Sequence, residues 1–297
     1  MFNRANLKKR LIFAAWGIPA GWWVANSTMS IAPKSLGTIL PGQAAAVLLI
    51  VMACYEYIKM LSASFPKNGF WLSYLWIITF MGLDVTGQSV PKEIVIFILL
   101  MVVAFEAIFW GEKNTGKWKR ASLLFSGLVF LYIAGVSMLN FYQEPFQSFF
   151  RHHHNPMLSQ MGIVTVVLSV FLCDSGAYFV GSIWGEHRYS TISPNKTIEG
   201  SIGGFFSAFV AFIICWHYQG NPAFPAVVGI AMGLLIGISA QAGDLLISLI
   251  KRHFRVKNAS DLIPGHGGVL DRFGSVFFTA PTLGLLCWVV NKLMRYP

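Results

Sequence analysis

Residues 160–183 read QMGIVTVVLSVFLCDSGAYFVGSI, and Asp174 is the only Asp, Glu, Lys or Arg among them. A run of about 20 apolar residues is what an α-helix needs to cross the hydrocarbon core of a bilayer. Moving outward from this run, comparable stretches recur near 11–27, 43–62, 70–88, 94–110, 121–141, 202–218, 225–249 and 275–293. The fold class expected is therefore all-α, a polytopic integral membrane protein with about nine transmembrane helices.

Composition points the same way. The 297 residues are 55% hydrophobic and 11% charged, with a mean hydropathy of +0.61, whereas soluble domains carry about 25% charged residues. Separate soluble domains, repeats and low-complexity segments are not evident. Residues 1–150 are expected to supply N-terminal transmembrane helices, and 151–297 a C-terminal transmembrane region whose loops carry the chemistry. The formal charge of +10 would suggest nucleic acid in a soluble protein. Here the basic residues sit in short loops beside apolar spans, where topology and anionic headgroups place them, so no nucleic-acid partner is expected.

Cys54, Cys173, Cys215 and Cys287 lie singly in apolar segments and suggest neither a disulfide framework nor a zinc site. The start, MFNRANLKKRLIFAAWGIPAGWWVANS, has the basic head and apolar run of a secretory signal but no A-x-A type cleavage site, so it is expected to be an uncleaved first span. With the N-terminus cytoplasmic, seventeen of the 22 Lys and Arg residues fall inside, and only Lys34, Lys92, Arg151, Lys292 and Arg295 fall outside. That asymmetry is what the positive-inside rule requires of nine spans. It places the loop at about 184–201 and the string DLIPGHGGVLDR, residues 261–272, on the cytoplasmic side.

Four stretches carry candidate chemistry. Asp174 is an ionisable group at membrane depth, where such groups usually face a cavity or a partner; a hydrogen bond to a neighbouring helix is the plainer role. The loop SPNKTIEGSIGG at 193–204 offers Lys196 as a point charge for phosphate, hydroxyls such as Ser193, and glycines that let backbone N–H groups approach an anion. The same letters also fit an ordinary loop in which Ser193 or Thr197 caps the next helix. In AQAGDLLISLIKR, Asp244 and Ser248 stack on one helical face, with Lys251 and Arg252 a turn beyond. An acid, a hydroxyl and two cations suit a polyphosphate at the membrane surface, although the two cations would also serve as interfacial anchors.

In DLIPGHGGVLDR, Gly265, Gly267 and Gly268 free the backbone to wrap an anion. His266 can donate to phosphate oxygen, and Asp271 is a hard oxygen ligand of the kind Mg²⁺ prefers. Asp271 with Asp244 could hold one or two divalent ions against phosphates while an attacking oxygen displaces pyrophosphate. A P-loop is excluded, since G-x-x-x-x-G-K-[ST] is absent.

Taken together, these stretches resemble the CDP-diacylglycerol synthase, or phosphatidate cytidylyltransferase, family. Its C-terminal signature runs S-x-x-K-R, four residues, K-D, a short spacer, P-G-H-G-G, two residues and D-R-x-D. Ser248, Lys251, Arg252, Lys257, Pro264, Gly265, His266, Gly267, Gly268, Asp271 and Arg272 stand in that register. DSGAYFVG at 174–181 and SPNKTIEG at 193–200 are similar to two further motifs, so the resemblance covers about residues 160–295.

The resemblance implies transfer of CMP from CTP to phosphatidic acid with release of pyrophosphate. Asp244 and Asp271 would hold Mg²⁺, with room for a second cation, and Lys196, Lys251, Arg252 and His266 would contact phosphates. Ser193, Ser248, Asp174, the glycines, Lys257 and Arg272 would complete the substrate site. CTP, phosphatidic acid and membrane lipids are the implied partners, and a homodimer is admitted. The implied location is a bacterial inner (cytoplasmic) membrane, with the site facing the cytosol.

Three departures stand out. The family's K-D is Lys257-Asn258 here, its D-R-x-D ends in Gly274, and Ser182 replaces a frequent arginine. They leave room for a paralogue with another lipid acceptor or an inactive scaffold that binds nucleotide or lipid. Glu56, Asp84, Glu106, Asp174 and Asp244, all in or near apolar spans, would also suit an ion-coupled transporter. His152, His153 and His154 are expected to form a polar outer loop, and the KWKR string at 117–120 to grip anionic headgroups.

Overall fold

A computed structural model describes residues 40–64, 71–86, 91–109, 117–143, 146–150, 161–221, 223–263 and 267–295. Among them the regular elements are helices: α1 (Pro41–Ser64), α2 (Trp71–Val85), α3 (Lys92–Phe109), α4 (Lys117–Asn140), the single turn α5 (Phe146–Phe149), α6 (Met161–Trp184), α7 (Ile198–Gln219), α8 (Ala226–His253) and α9 (Val269–Arg295). Strand pairing is limited there to two isolated bridges, Arg188 with Thr197 and Ile263 with Gly267. The protein is an all-α integral membrane protein.

Six of these helices are long and apolar enough to cross a membrane: Pro41–Ser62, Ala121–Asn140, Gly162–Trp184, Ile198–Gln219, Ala226–His253 and Val269–Met294. The stretches expected near 70–88 and 94–110 are helical too, as α2 and α3. At 1.5 Å per residue the 15 residues of α2 rise about 22 Å, short of the ~30 Å hydrocarbon core. The first expected span, 11–27, lies outside the described residues, as does the triple histidine.

Along α7, Ile198, Ile202, Phe206, Val210, Ile214 and Tyr218 recur every fourth residue and are 47–68% exposed. A stripe of this size and polarity suits lipid rather than water. Its opposite face carries the buried Gly200, Gly204, Ala208 and Phe212.

The described residues fall into two compact units, one of residues 40–139 with His253–Arg272, the other of Asn140–Arg252 with residues 273–295. The polar string at 261–272 thus groups with the N-terminal helices. In that unit Ile50, Cys54, Leu61, Ile77, Leu99, Leu124 and Leu128 are fully buried. Trp76 meets Tyr132 edge-on at 5.4 Å, and the Tyr57 hydroxyl donates to the Leu123 carbonyl at 2.5 Å.

In the other unit α6 and α7 pack at backbone distance. A Cβ on Gly204 would fall 2.7 Å from the Cys173 carbonyl oxygen, so only glycine allows this approach. In lipid, where apolar surface gains little by meeting apolar surface, such small-residue contacts are a main source of helix association.

Candidate active site

The α6–α7 connection is held by its own side chains and backbone. The Glu199 carboxylate, in the first turn of α7, accepts the N–H groups of Glu186 and His187 at 3.2 and 3.3 Å and pairs with His187 Nδ1 at 2.5 Å. Ile198 N–H donates back to the His187 carbonyl at 2.9 Å. Thr197, extended at φ −116° and ψ 155°, is the N-cap, and its hydroxyl accepts Gly200 N–H at 3.2 Å. Of the two capping candidates, Thr197 rather than Ser193 fills the position. Ser193 instead forms the preceding turn, accepting Lys196 N–H at its carbonyl at 3.0 Å.

This fixed loop aims Lys196 at α8, where its ammonium lies 2.6 Å from Asp244 Oδ2. One turn earlier, Gln241 Nε2 donates to the Ser201 carbonyl at 2.7 Å. Asp174 follows Cys173 on α6, the helix that packs against α7. One turn beyond Asp244, Ser248 is buried, and Arg252 Nε approaches the Ile192 carbonyl at 3.4 Å, the long limit of a hydrogen bond. Asp174, Ser193, Lys196, Asp244 and Ser248, with Lys251 and Arg252 at the end of α8, are thus carried by three elements of a single unit. Asp244 stays 40% exposed and Lys196 21%, so the pair contributes little to stability and remains open to a competing anion or cation.

The string at 259–271 is built differently. Asp271 stands at the third position of α9, and its Oδ2 accepts Gly268 N–H at 2.9 Å and Ala259 N–H at 2.8 Å. The first of these is the N3-to-N-cap half of a capping box. Ile263 and Gly267 exchange backbone hydrogen bonds at 2.8 and 3.2 Å, and Gly267 adopts φ 87°, in the left-handed region that glycine tolerates. In this arrangement the N–H groups of Gly267 and Gly268 are directed at Ile263 and Asp271. Pro264, Gly265 and His266 lie outside the described residues. Lys257, Asn258 and Arg272 are exposed.

Beneath the string lies a group whose role there is not visible in the motifs. Glu56 of α1 has 0% exposure. Its Oε1 accepts Ser260 Oγ at 2.5 Å and Val269 N–H at 2.8 Å, and its Oε2 accepts Leu270 N–H at 2.8 Å. A Cβ on Gly268 would fall 2.6 Å from both carboxylate oxygens, so glycine is needed here for close approach to an anion belonging to the protein itself.

Among the described residues no group of three or more His, Cys, Asp or Glu is assembled for a metal ion. Mg²⁺ is commonly held by one or two carboxylates together with substrate phosphates, and Asp244 in one unit and Asp271 in the other are each a carboxylate of that chemistry.

A family model described as "Cytidylyltransferase family" matches residues 17–290. A phosphatidate cytidylyltransferase of Staphylococcus aureus (strain COL) is 43% identical over 126 residues, 42% of this chain and 48% of the relative. One of Staphylococcus haemolyticus (strain JCSC1435) is 41% identical over 125 residues. One of Synechocystis sp. is 41% identical over 140 residues, 44% of this chain and 47% of the relative. The chain spans about half the length of the curated relatives it matches.

Proposed function

The chain belongs to the cytidylyltransferase family, and from that premise we propose that it transfers CMP from CTP to phosphatidic acid, forming CDP-diacylglycerol and pyrophosphate. A phosphate oxygen of the lipid attacks the α-phosphorus of CTP, one P–O bond forms, and the bond to the β-phosphate bridging oxygen breaks. The nucleophile is already an anion, so catalysis is mainly positioning and charge neutralisation.

The observation that carries this proposal is the Lys196–Asp244 pair at 2.6 Å, one helical turn from the buried Ser248. The Lys196 ammonium can leave Asp244 for a phosphate oxygen, and Lys251 and Arg252 supply further charge at the end of the same helix. Ser248 donates within the pocket, and His266 is assigned to phosphate contact. Asp244 and Asp271 are the carboxylates assigned to Mg²⁺, which when bound supplies neutralisation of phosphate charge. The proposed location is a bacterial inner membrane with the site facing the cytosol, supported by the one-sided distribution of Lys and Arg.

The test is pyrophosphate release by purified protein in detergent with Mg²⁺, CTP and phosphatidic acid. The parent turns over, and Asp244→Ala and Asp271→Ala each lose roughly 100-fold or more, the order expected when one preorganised charge partner is removed. Well-folded protein that releases no pyrophosphate with any lipid phosphate would overturn the proposal.

A further inference from the structure

We propose that Glu56 is the positioning residue for the start of α9: through Ser260, Val269 and Leu270 it sets the place of Asp271. The inference rests on the proposed reaction for its kinetic arm alone.

Three features make Glu56 more than a buried acid with incidental partners. Both carboxylate oxygens are engaged, by one hydroxyl and two backbone N–H groups. A buried carboxylate is tolerated at such a cost only when its hydrogen bonds are made, so these groups are tied to one geometry. Gly268, in the motif itself, has its Cβ position 2.6 Å from the Glu56 oxygens, so the glycine and the acid fit one another. The next N–H groups along, those of Gly268 and Ala259, go to Asp271. Two carboxylates therefore share the start of α9: Glu56 holds the peptide units on one side of Gly268, and Asp271 closes the other. Ser260 passes the constraint along the string, since its hydroxyl donates to Glu56 and accepts Leu262 N–H at 3.1 Å.

If Glu56 acts through Asp271, its loss displaces Asp271 and exposes the string without touching the Lys196–Asp244 pair. The experiment compares parent, Glu56→Gln, Asp271→Asn and the double variant in detergent. Glu56→Gln preserves size but presents an NH₂ group to one of its backbone N–H partners. Amide exchange read by mass spectrometry over 256–272 should speed up about tenfold or more, with exchange in α6 and α7 unchanged. Turnover with Mg²⁺, CTP and phosphatidic acid should fall in kcat by roughly 100-fold, the order expected of a ~1 Å misplacement, with little change in KM for CTP. The double variant should be no slower than the slower single one. Unchanged exchange over 256–272 would overturn the inference, and so would losses that multiply in the double variant. Faster exchange confined to the string in a chain whose parent turns over no CTP would uphold the positioning role and reject the proposed reaction.

Discussion

Gly274 stands where the family's D-R-x-D string carries its second acid, and the sequence alone presents this as a lost metal ligand. In the structure the position is taken by packing. A Cβ on Gly274 would lie 2.4 Å from Ile247 Cγ1, and on the same contact a Cβ on Gly243 would lie 2.9 Å from the Ser275 Cα. Helices α8 and α9 thus approach backbone to backbone here, and an aspartate has no room unless Ile247 moves. Gly274→Asp is expected to cost about 1–3 kcal/mol by overpacking, and more if the carboxylate is left without partners. It should lower the melting temperature in detergent without raising turnover, whereas Ile247→Ala combined with it should recover part of the loss, because neighbouring substitutions couple. A Gly274→Asp protein that melts normally and turns over faster would instead mark the site as a vacated ligand position. The exposed Asn258 meets no such obstacle, so Asn258→Asp should leave the melting temperature unchanged.

At the scale of elements, three of the acids in apolar spans, Glu56, Glu106 and Asp84, turn out to tie helices together. Glu56 holds the first N–H groups of α9, and Glu106 of α3 does the same for α2, where Ser73 N–H and Oγ donate to it at 3.2 and 2.6 Å. The first N–H groups of a helix have no partner within it, and in an apolar surrounding leaving them bare is costly. Asp84 accepts the Tyr132 hydroxyl at 3.2 Å. These partners account for three of the five acids that would otherwise suggest an ion path, and the family match does not favour a transporter.

Glu106→Ala should therefore destabilise by about 1–3 kcal/mol, the cost of an unmet buried donor, while turnover per folded molecule stays at the parent value. Thermal unfolding and pyrophosphate release measured on one preparation check both halves.

Each of the eight expected spans that reach described residues coincides with a helix there, because hydropathy over 20 residues is a local property. Lys196 and Asp244, separated by 48 positions, were legible only through their motifs. Glu56 was legible as a buried acid but not as a partner of the string, since Ser260, Val269 and Leu270 lie 204, 213 and 214 positions away. The choice of Thr197 over Ser193 as cap depends on backbone angles that neither residue type fixes.

For the molecule as a whole, the proposed reaction needs a water-soluble nucleotide and a lipid phosphate to meet at one membrane face. The segments bearing Lys196 and Lys257 must then open to the cytosol, and the end of α9 to the other side. Lys292, whose ammonium lies 5.2 Å from the Trp288 ring centroid, fits an interfacial anchor of the kind that marks a membrane boundary. Single-cysteine labelling decides the matter. Cys54, Cys173 and Cys287 are buried and Cys215 is half-buried, so all four can be replaced to give a silent background. Asn195→Cys and Lys257→Cys, both at exposed positions, should react with a membrane-impermeant maleimide in inverted vesicles and not in intact spheroplasts, and Lys292→Cys should show the reverse. Labelling of Asn195→Cys and Lys257→Cys from opposite faces would mean that Asp244 and Asp271 cannot serve one substrate, because charged loops do not cross the bilayer during turnover. Labelling of all three from one face would remove an odd number of crossings from the expected nine and return Lys292 to the cytosolic set.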